Sequence, residues 1–122
     1  GQYLQQYAEV DILLDSFPFP GGTTTCEGLW MGVPTVTLQG SNLVGRQGAC
    51  LMAAAGLSDW IAGSRADYLA LARRKAADVV ALSELRKDMR ARLQTSPLFD
   101  AQSFARSLED ALWSMWQQKS TN

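Results

Sequence analysis

The chain has 122 residues, 47% of them apolar, and a formal net charge of −1. A single α/β-sized unit or a piece of a larger protein fits that length, and half-apolar composition supports a core without staples. The charge balance excludes the clustered basic excess of a nucleic-acid footprint. The lack of any histidine, with only two cysteines at unrelated spacing, excludes a zinc site and a Ser/His or Cys/His catalytic pair from these residues.

In chain order, "QYLQQYA" (2–8) reads as the end of a helix, and "VDILLD" (10–15) as a strand of the kind buried in a parallel sheet. "FPFPGG" breaks regular structure by proline and then by glycine. A helix is expected from Thr23 or Thr24 through "TTCEGLWM", with Thr24 and Glu27 spaced as a capping box and Gly32 ending it. A second strand follows at 33–39, then a polar loop and a helix over 46–55 stopped by Gly56. "LSDWIA" (57–62) is a short third strand or extended segment, and Ser64 with Asp67 opens a long helix whose Tyr68, Leu71, Ala72, Ala76, Val79 and Val80 share one face. A further helix spans Ser83 to about Thr95, with Leu85, Met89 and Leu93 spaced by four. After "SPLFD", Asp100 caps a last helix carrying Phe104, Leu108, Leu112 and Met115 on its apolar side, with Trp113 and Trp116 as its docking residues or, as the alternative, a partner surface.

Alternating strands and helices predict an α/β layer with parallel strands. The absence of an initiator Met and the small number of strands lead to the expectation that earlier strands lie upstream of residue 1. No apolar run reaches the roughly 18 residues of a membrane span. No leader opens the chain and the cysteines form no framework, so a reducing cytoplasm is the expected location.

The chemistry concentrates in "FPFPGGTTTCEGLWMGVPTVTL" (17–38). A strand's carboxyl end handing over to a helix amino-terminus is where α/β sheets bind ligands, and free amides with the helix dipole favour an anion there. Gly21 and Gly22 leave the backbone bare, and Thr23, Thr24 and Thr25 add hydroxyls, so a diphosphate met by amides instead of lysines is one reading. A plain turn followed by a helix cap is the other. The stretch is neither a Walker A loop nor a GxGxxG fingerprint. Glu27 either closes the cap or reaches a ligand hydroxyl. Cys26, with no base nearby, reads as a small packing residue, and Trp30 and Met31 read as core. Phe17 and Phe19 read as packing that fixes the loop. Asn42, Arg46 and Gln47 fall on the same sheet edge as the glycine turn. "ELRKDMRAR" reads as a solvated helix face.

"DILLDSFPFPGGTTTCEGLWMGVPTVTLQG", "GLSDWIA", "LRKDMRARLQTSPLFD" and "FARSLEDALWSMW" together resemble the carboxy-terminal part of the catalytic region of the O-GlcNAc transferase/SPINDLY glycosyltransferase family. The resemblance implies a Rossmann-like, three-layer carboxy-terminal half of a GT-B glycosyltransferase, partial over 1–122 and helical from about residue 64. It implies binding of a nucleotide sugar, UDP-GlcNAc, by an inverting enzyme that modifies Ser or Thr of an acceptor protein or peptide. Diphosphate binding falls by position on Gly21, Gly22, Thr23, Thr24 and Thr25, and ribose binding on Glu27. The catalytic base is expected upstream, as are tetratricopeptide repeats and the amino-terminal catalytic half. No metal or other cofactor is implied. With the base and the amino-terminal half upstream, this piece alone is expected to be inactive. Animal members carry histidine at the position of Gly22 and aspartate at that of Glu27. GDP-fucose is therefore an alternative donor, and a non-catalytic interaction module an alternative role.

Overall fold

The computed structural model describes residues 2–120. Three parallel strands lie in the order β1-β2-β3: β1 (Leu13–Leu14), β2 (Thr35–Leu38) and β3 (Ile61–Ala62). Leu13 pairs with Thr35 and Leu14 with Val36, while Thr37 pairs with Ile61 and Leu38 with Ala62. The helices are α1 (Gln2–Gln5), α2 (Thr23–Trp30), α3 (Gln47–Ala54), α4 (Arg65–Ala77), α5 (Val79–Gln94) and α6 (Ala101–Ser120). The parallel α/β layer expected from the alternation is the one observed.

β2 is central, and three of its four residues, Thr35, Val36 and Thr37, are β-branched and suit a strand packed between two neighbours. Val36 and Thr37 are fully buried, and Val33 leads into the strand with no exposure at all. Around it Leu29, Met52, Leu57, Trp60, Tyr68, Leu71, Leu82, Met89 and Leu93 close one core drawn from α2, α3, α4, α5 and the turn at 57–60. Two turns require glycine. Gly32 and Gly56 take positive φ of 79° and 74°, the left-handed conformation that ends α2 and α3.

Several expectations are corrected. The run 10–15 is not the buried strand expected: it pairs over Leu13–Leu14 at the edge of the three-strand order, and Leu14 is exposed. The stretch 57–62 spends Ser58–Trp60 in a 3-10 turn before pairing. The long helix from Ser64 breaks at Asp78, whose side chain accepts from the Ala81 amide at 3.0 Å and starts α5. Val79 and Val80 therefore leave the face of Tyr68 and Leu71 and stand exposed. Trp30 and Met31 are only half-buried. Trp30 lies 5.3 Å from the Phe99 ring with the Arg90 guanidinium over its face.

The charged face of α5 is more than solvated. Arg90 donates to the Trp30 carbonyl (3.1 and 3.2 Å) and Arg86 to the Gly32 carbonyl (3.1 Å). Two guanidinium groups thus meet the carbonyls at the carboxyl end of α2, the negative end of its dipole. The caps on α4 and α6 are as expected: Ser64 accepts from the Asp67 amide at 3.1 Å, and Asp100 from the Ser103 amide at 2.9 Å. Trp113 and Trp116 do not dock α6. They stack on each other at 5.3 Å, and no residue of α6 is buried among the described residues.

Candidate functional site

The site is built where β1 ends. The Asp15 amide donates to the Val36 carbonyl (3.0 Å), which carries the strand pairing one residue past Leu14. The chain then turns through Ser16–Pro20, and the Ser16 hydroxyl donates to the Phe19 carbonyl at 2.6 Å. Phe17 pins the turn by packing edge-on against Tyr68 at 5.4 Å, with Arg65 above it. Phe19 does not share that role, being 71% exposed.

The turn delivers α2 with its amino-terminus uncapped. Gly22 is the residue before the helix, and no side chain caps it. The expected Thr24–Glu27 capping box is absent. The first backbone bond of the helix runs from Cys26 to the Gly22 carbonyl (3.1 Å), so the amides of Thr23, Thr24 and Thr25 precede the ladder. Thr23 and Thr24 are exposed. Two free hydroxyls and a group of unbonded amides therefore share the positive end of a helix whose negative end is held by arginines.

The other residues of the turn play different parts. The Gly21 amide donates to Asp15 Oδ1 at 2.7 Å, which commits it inward. Thr25 is buried at 2% exposure, and its Oγ1 would lie 2.9 Å from a Cβ on Gly21. The two pack against each other below the surface. Gly22 faces α3: a Cβ there would lie 2.5 Å from Gln47 Nε2. Gln47 opens α3 and is exposed, so a second helix start reaches the same turn. Arg46 instead straps its own loop, donating to the Gly40 carbonyl at 3.3 Å.

Glu27, one turn into α2, is half-buried, and its Oε2 accepts from the Tyr7 hydroxyl at 3.5 Å. Tyr7 in turn shares a hydrogen bond with Tyr3 at 3.1 Å. Burial, and then the Tyr3 bond, push the Tyr7 pKa upward, so this phenol remains protonated at neutral pH. Burial likewise raises the Cys26 thiol, with the Glu27 charge adding to it, which suits the packing role read from the sequence. Among the described residues no group of three His, Cys, Asp or Glu side chains is placed to hold a metal ion, and no helix is long and apolar enough to cross a membrane.

Sequence reasoning overlooked Asp15. Its signal was present: an acidic residue at the end of an apolar strand run, six before the first glycine of the turn. Thr37, Gly48 and Tyr68 all converge on it.

Comparisons with known proteins identify the family and the fold. A family model described as glycosyl transferase family 41 matches residues 4–108. A rice protein named probable UDP-N-acetylglucosamine–peptide N-acetylglucosaminyltransferase SPINDLY is 45% identical over 116 residues, covering 95% of this chain and 12% of its own length. A Caenorhabditis elegans UDP-N-acetylglucosamine–peptide N-acetylglucosaminyltransferase is 31% identical over 108 residues, which are 88% of this chain and 9% of that protein. A solved structure of a Thermobaculum terrenum O-GlcNAc transferase mutant superposes with a TM-score of 0.83 and 37% identity, over 96% of this chain and 22% of that one. The chain thus spans 12% of the length of the rice relative. The resemblance drawn from the motifs and the fold it implied are both borne out.

Proposed function

Since this chain belongs to glycosyl transferase family 41, we propose that it is the nucleotide-sugar-binding portion of a glycosyltransferase that uses UDP-N-acetylglucosamine and modifies Ser or Thr of an acceptor protein. The observation that carries this is the uncapped start of α2 at the carboxyl end of β1, with Thr23 and Thr24 exposed beside a bare Gly22. The amides of Gly22, Thr23 and Thr24 and the two hydroxyls hold the diphosphate. Gly21 and Thr25 shape the turn from below. Glu27, lightly held by Tyr7, accepts from the ribose hydroxyls.

As the glycosidic bond breaks, negative charge grows on the departing diphosphate. Amides fixed by a helix and a strand end meet that charge without reorganising, which lowers the barrier electrostatically. The group that takes the acceptor hydroxyl proton is assigned to the part of the enzyme upstream of this chain.

Titration of the full-length protein with UDP, GDP and their sugars tests the reading, with Thr23→Ala and Thr24→Ala as variants. A hydrogen bond to a charged oxygen is worth about 1.5–3 kcal/mol, so each variant is expected to bind UDP roughly tenfold or more weakly. Unchanged binding in both variants refutes the site. GDP-selective binding assigns the GDP-fucose alternative, and absence of nucleotide binding in the wild type assigns an interaction module.

A further inference from the structure

We propose that Asp15 is the positioning residue of the diphosphate turn, an inference that rests on the reading of the turn given above. Asp15 touches no ligand in this scheme. It acts by holding Gly21 inward, so that the amides following Gly21 face out.

Every polar group of Asp15 is committed. Its amide donates to Val36, its carbonyl accepts from the Tyr68 hydroxyl at 2.8 Å, Oδ1 accepts from Gly21 at 2.7 Å and Oδ2 from the Thr37 hydroxyl at 2.7 Å. One residue, 8% exposed, therefore ties together the end of β1, the middle of β2, helix α4 and the glycine turn. The packing around it leaves little slack. A Cβ on Gly48 would come within 3.0 Å of both Asp15 Oδ2 and Thr37 Oγ1, so the first turn of α3 rests directly on the carboxyl group. Both helix starts that reach the turn, α2 through Gly21 and α3 through Gly48, thus take their position from the same side chain. Supporting groups fixed in this way are what hold a binding constellation to sub-ångström tolerance.

Replacement by alanine removes both side-chain bonds and frees the Gly21 amide to turn outward. Replacement by asparagine preserves the pattern, because its carbonyl oxygen can accept from Gly21 while its NH2 donates to the Thr37 hydroxyl, which can act as donor or acceptor. A purely structural role would make the binding loss track stability in any variant. The positioning role makes it specific to the turn.

The test uses the full-length protein and UDP as the probe, with binding and melting midpoint measured in parallel for the wild type, Asp15→Ala, Asp15→Asn, Thr23→Ala and the core variant Leu93→Ala. We expect Asp15→Ala to bind UDP about tenfold or more weakly, Asp15→Asn to remain within about threefold, and Leu93→Ala to lose melting midpoint without losing affinity. Hydrogen exchange on the wild type reads the contact directly, with the Gly21 amide protected relative to the rest of 16–22, and needs no folded variant. Equal affinity losses in Asp15→Ala and Leu93→Ala overturn the proposal, as does an unprotected Gly21 amide. If Thr23→Ala loses UDP and a folded Asp15→Ala does not, the positioning role alone fails. If Thr23→Ala binds UDP like the wild type, the diphosphate reading fails, and protection of Gly21 still reports on the contact.

Discussion

Gly48→Ala is the sharpest probe of the packing beneath the turn. The added methyl would lie within 3.0 Å of Asp15 Oδ2 and Thr37 Oγ1 and 3.3 Å from Pro20 Cβ. None of these can swing away cheaply: Thr37 is fully buried on β2, and Asp15 is bonded through both oxygens. Overpacking of this kind costs about 1–3 kcal/mol. Loss of the Thr37–Asp15 bond, with a buried hydroxyl left unsatisfied, adds about 1–3 kcal/mol. Against this, alanine is better than glycine inside a helix by about 1 kcal/mol. The net expectation is a destabilisation of roughly 1–5 kcal/mol, read as a lower melting midpoint. Thermal unfolding of the full-length protein provides the assay. Gly63→Ala is the matched control, because nothing lies within 4 Å of the Cβ it would add. A Gly48→Ala protein as stable as the control would refute the account of α3 resting on the Asp15 carboxyl.

Two further outcomes follow from the side chains around the site. Tyr68→Phe removes the hydroxyl that donates to the Asp15 carbonyl and should cost about 0.5–1.5 kcal/mol in urea unfolding at pH 7. Burial, with the Asp15 charge adding to it, raises the Tyr68 pKa above the ordinary 10.0, so the folded state holds a proton that the unfolded state releases. That contribution is complete below pH 10 and declines as pH rises toward the folded value, and Tyr68→Phe should flatten this alkaline loss. An unchanged alkaline slope would show that Tyr68 does not titrate with unfolding. Cys26 is half-buried with its thiol pKa raised by burial and by Glu27, whereas Cys50 is exposed on α3. Alkylation at pH 8 followed by peptide mapping should label Cys50 roughly tenfold faster than Cys26. Equal rates would contradict the packing assigned to Cys26.

What could be read from the sequence was what local chemistry encodes. Gly32 and Gly56 end helices because only glycine adopts their left-handed backbone freely, and both stops were visible as single letters. The caps at Ser64 and Asp100 were visible for the same reason, since each acts within three residues. The break at Asp78 was missed because "AADVVALS" contains neither glycine nor proline, and its apolar spacing continues across the cap. Arg86 and Arg90 were taken for solvent-facing charge because their partners, the Gly32 and Trp30 carbonyls, are 54 and 60 residues away. The apolar stripe of α6 shows the same limit from the other side. Its periodicity is plain in the sequence, but periodicity does not say what lies against a helix, and among the described residues nothing buries it.

Asp15 shows why composition misleads at such a site. A carboxyl group beneath a turn proposed to hold an anion looks like an electrostatic fault, and a search for phosphate binders passes over it. The hydrogen bonds remove the contradiction. Its two oxygens are turned toward Gly21 and Thr37, and the start of α3, itself the positive end of a helix, lies against them. The acid is thus answered from below while the amides that follow Gly21 remain unanswered above. An apolar residue of similar size would leave Gly21 and Thr37 without partners and the turn without a fixed direction, at a cost of about 1–3 kcal/mol for each buried group left unpaired. A lysine or arginine there, having donors only, could not accept from the Gly21 amide. A short acid whose acceptors are both taken by Gly21 and Thr37 is the side chain that can hold a bare backbone rigid and still leave the amides after Gly21 free.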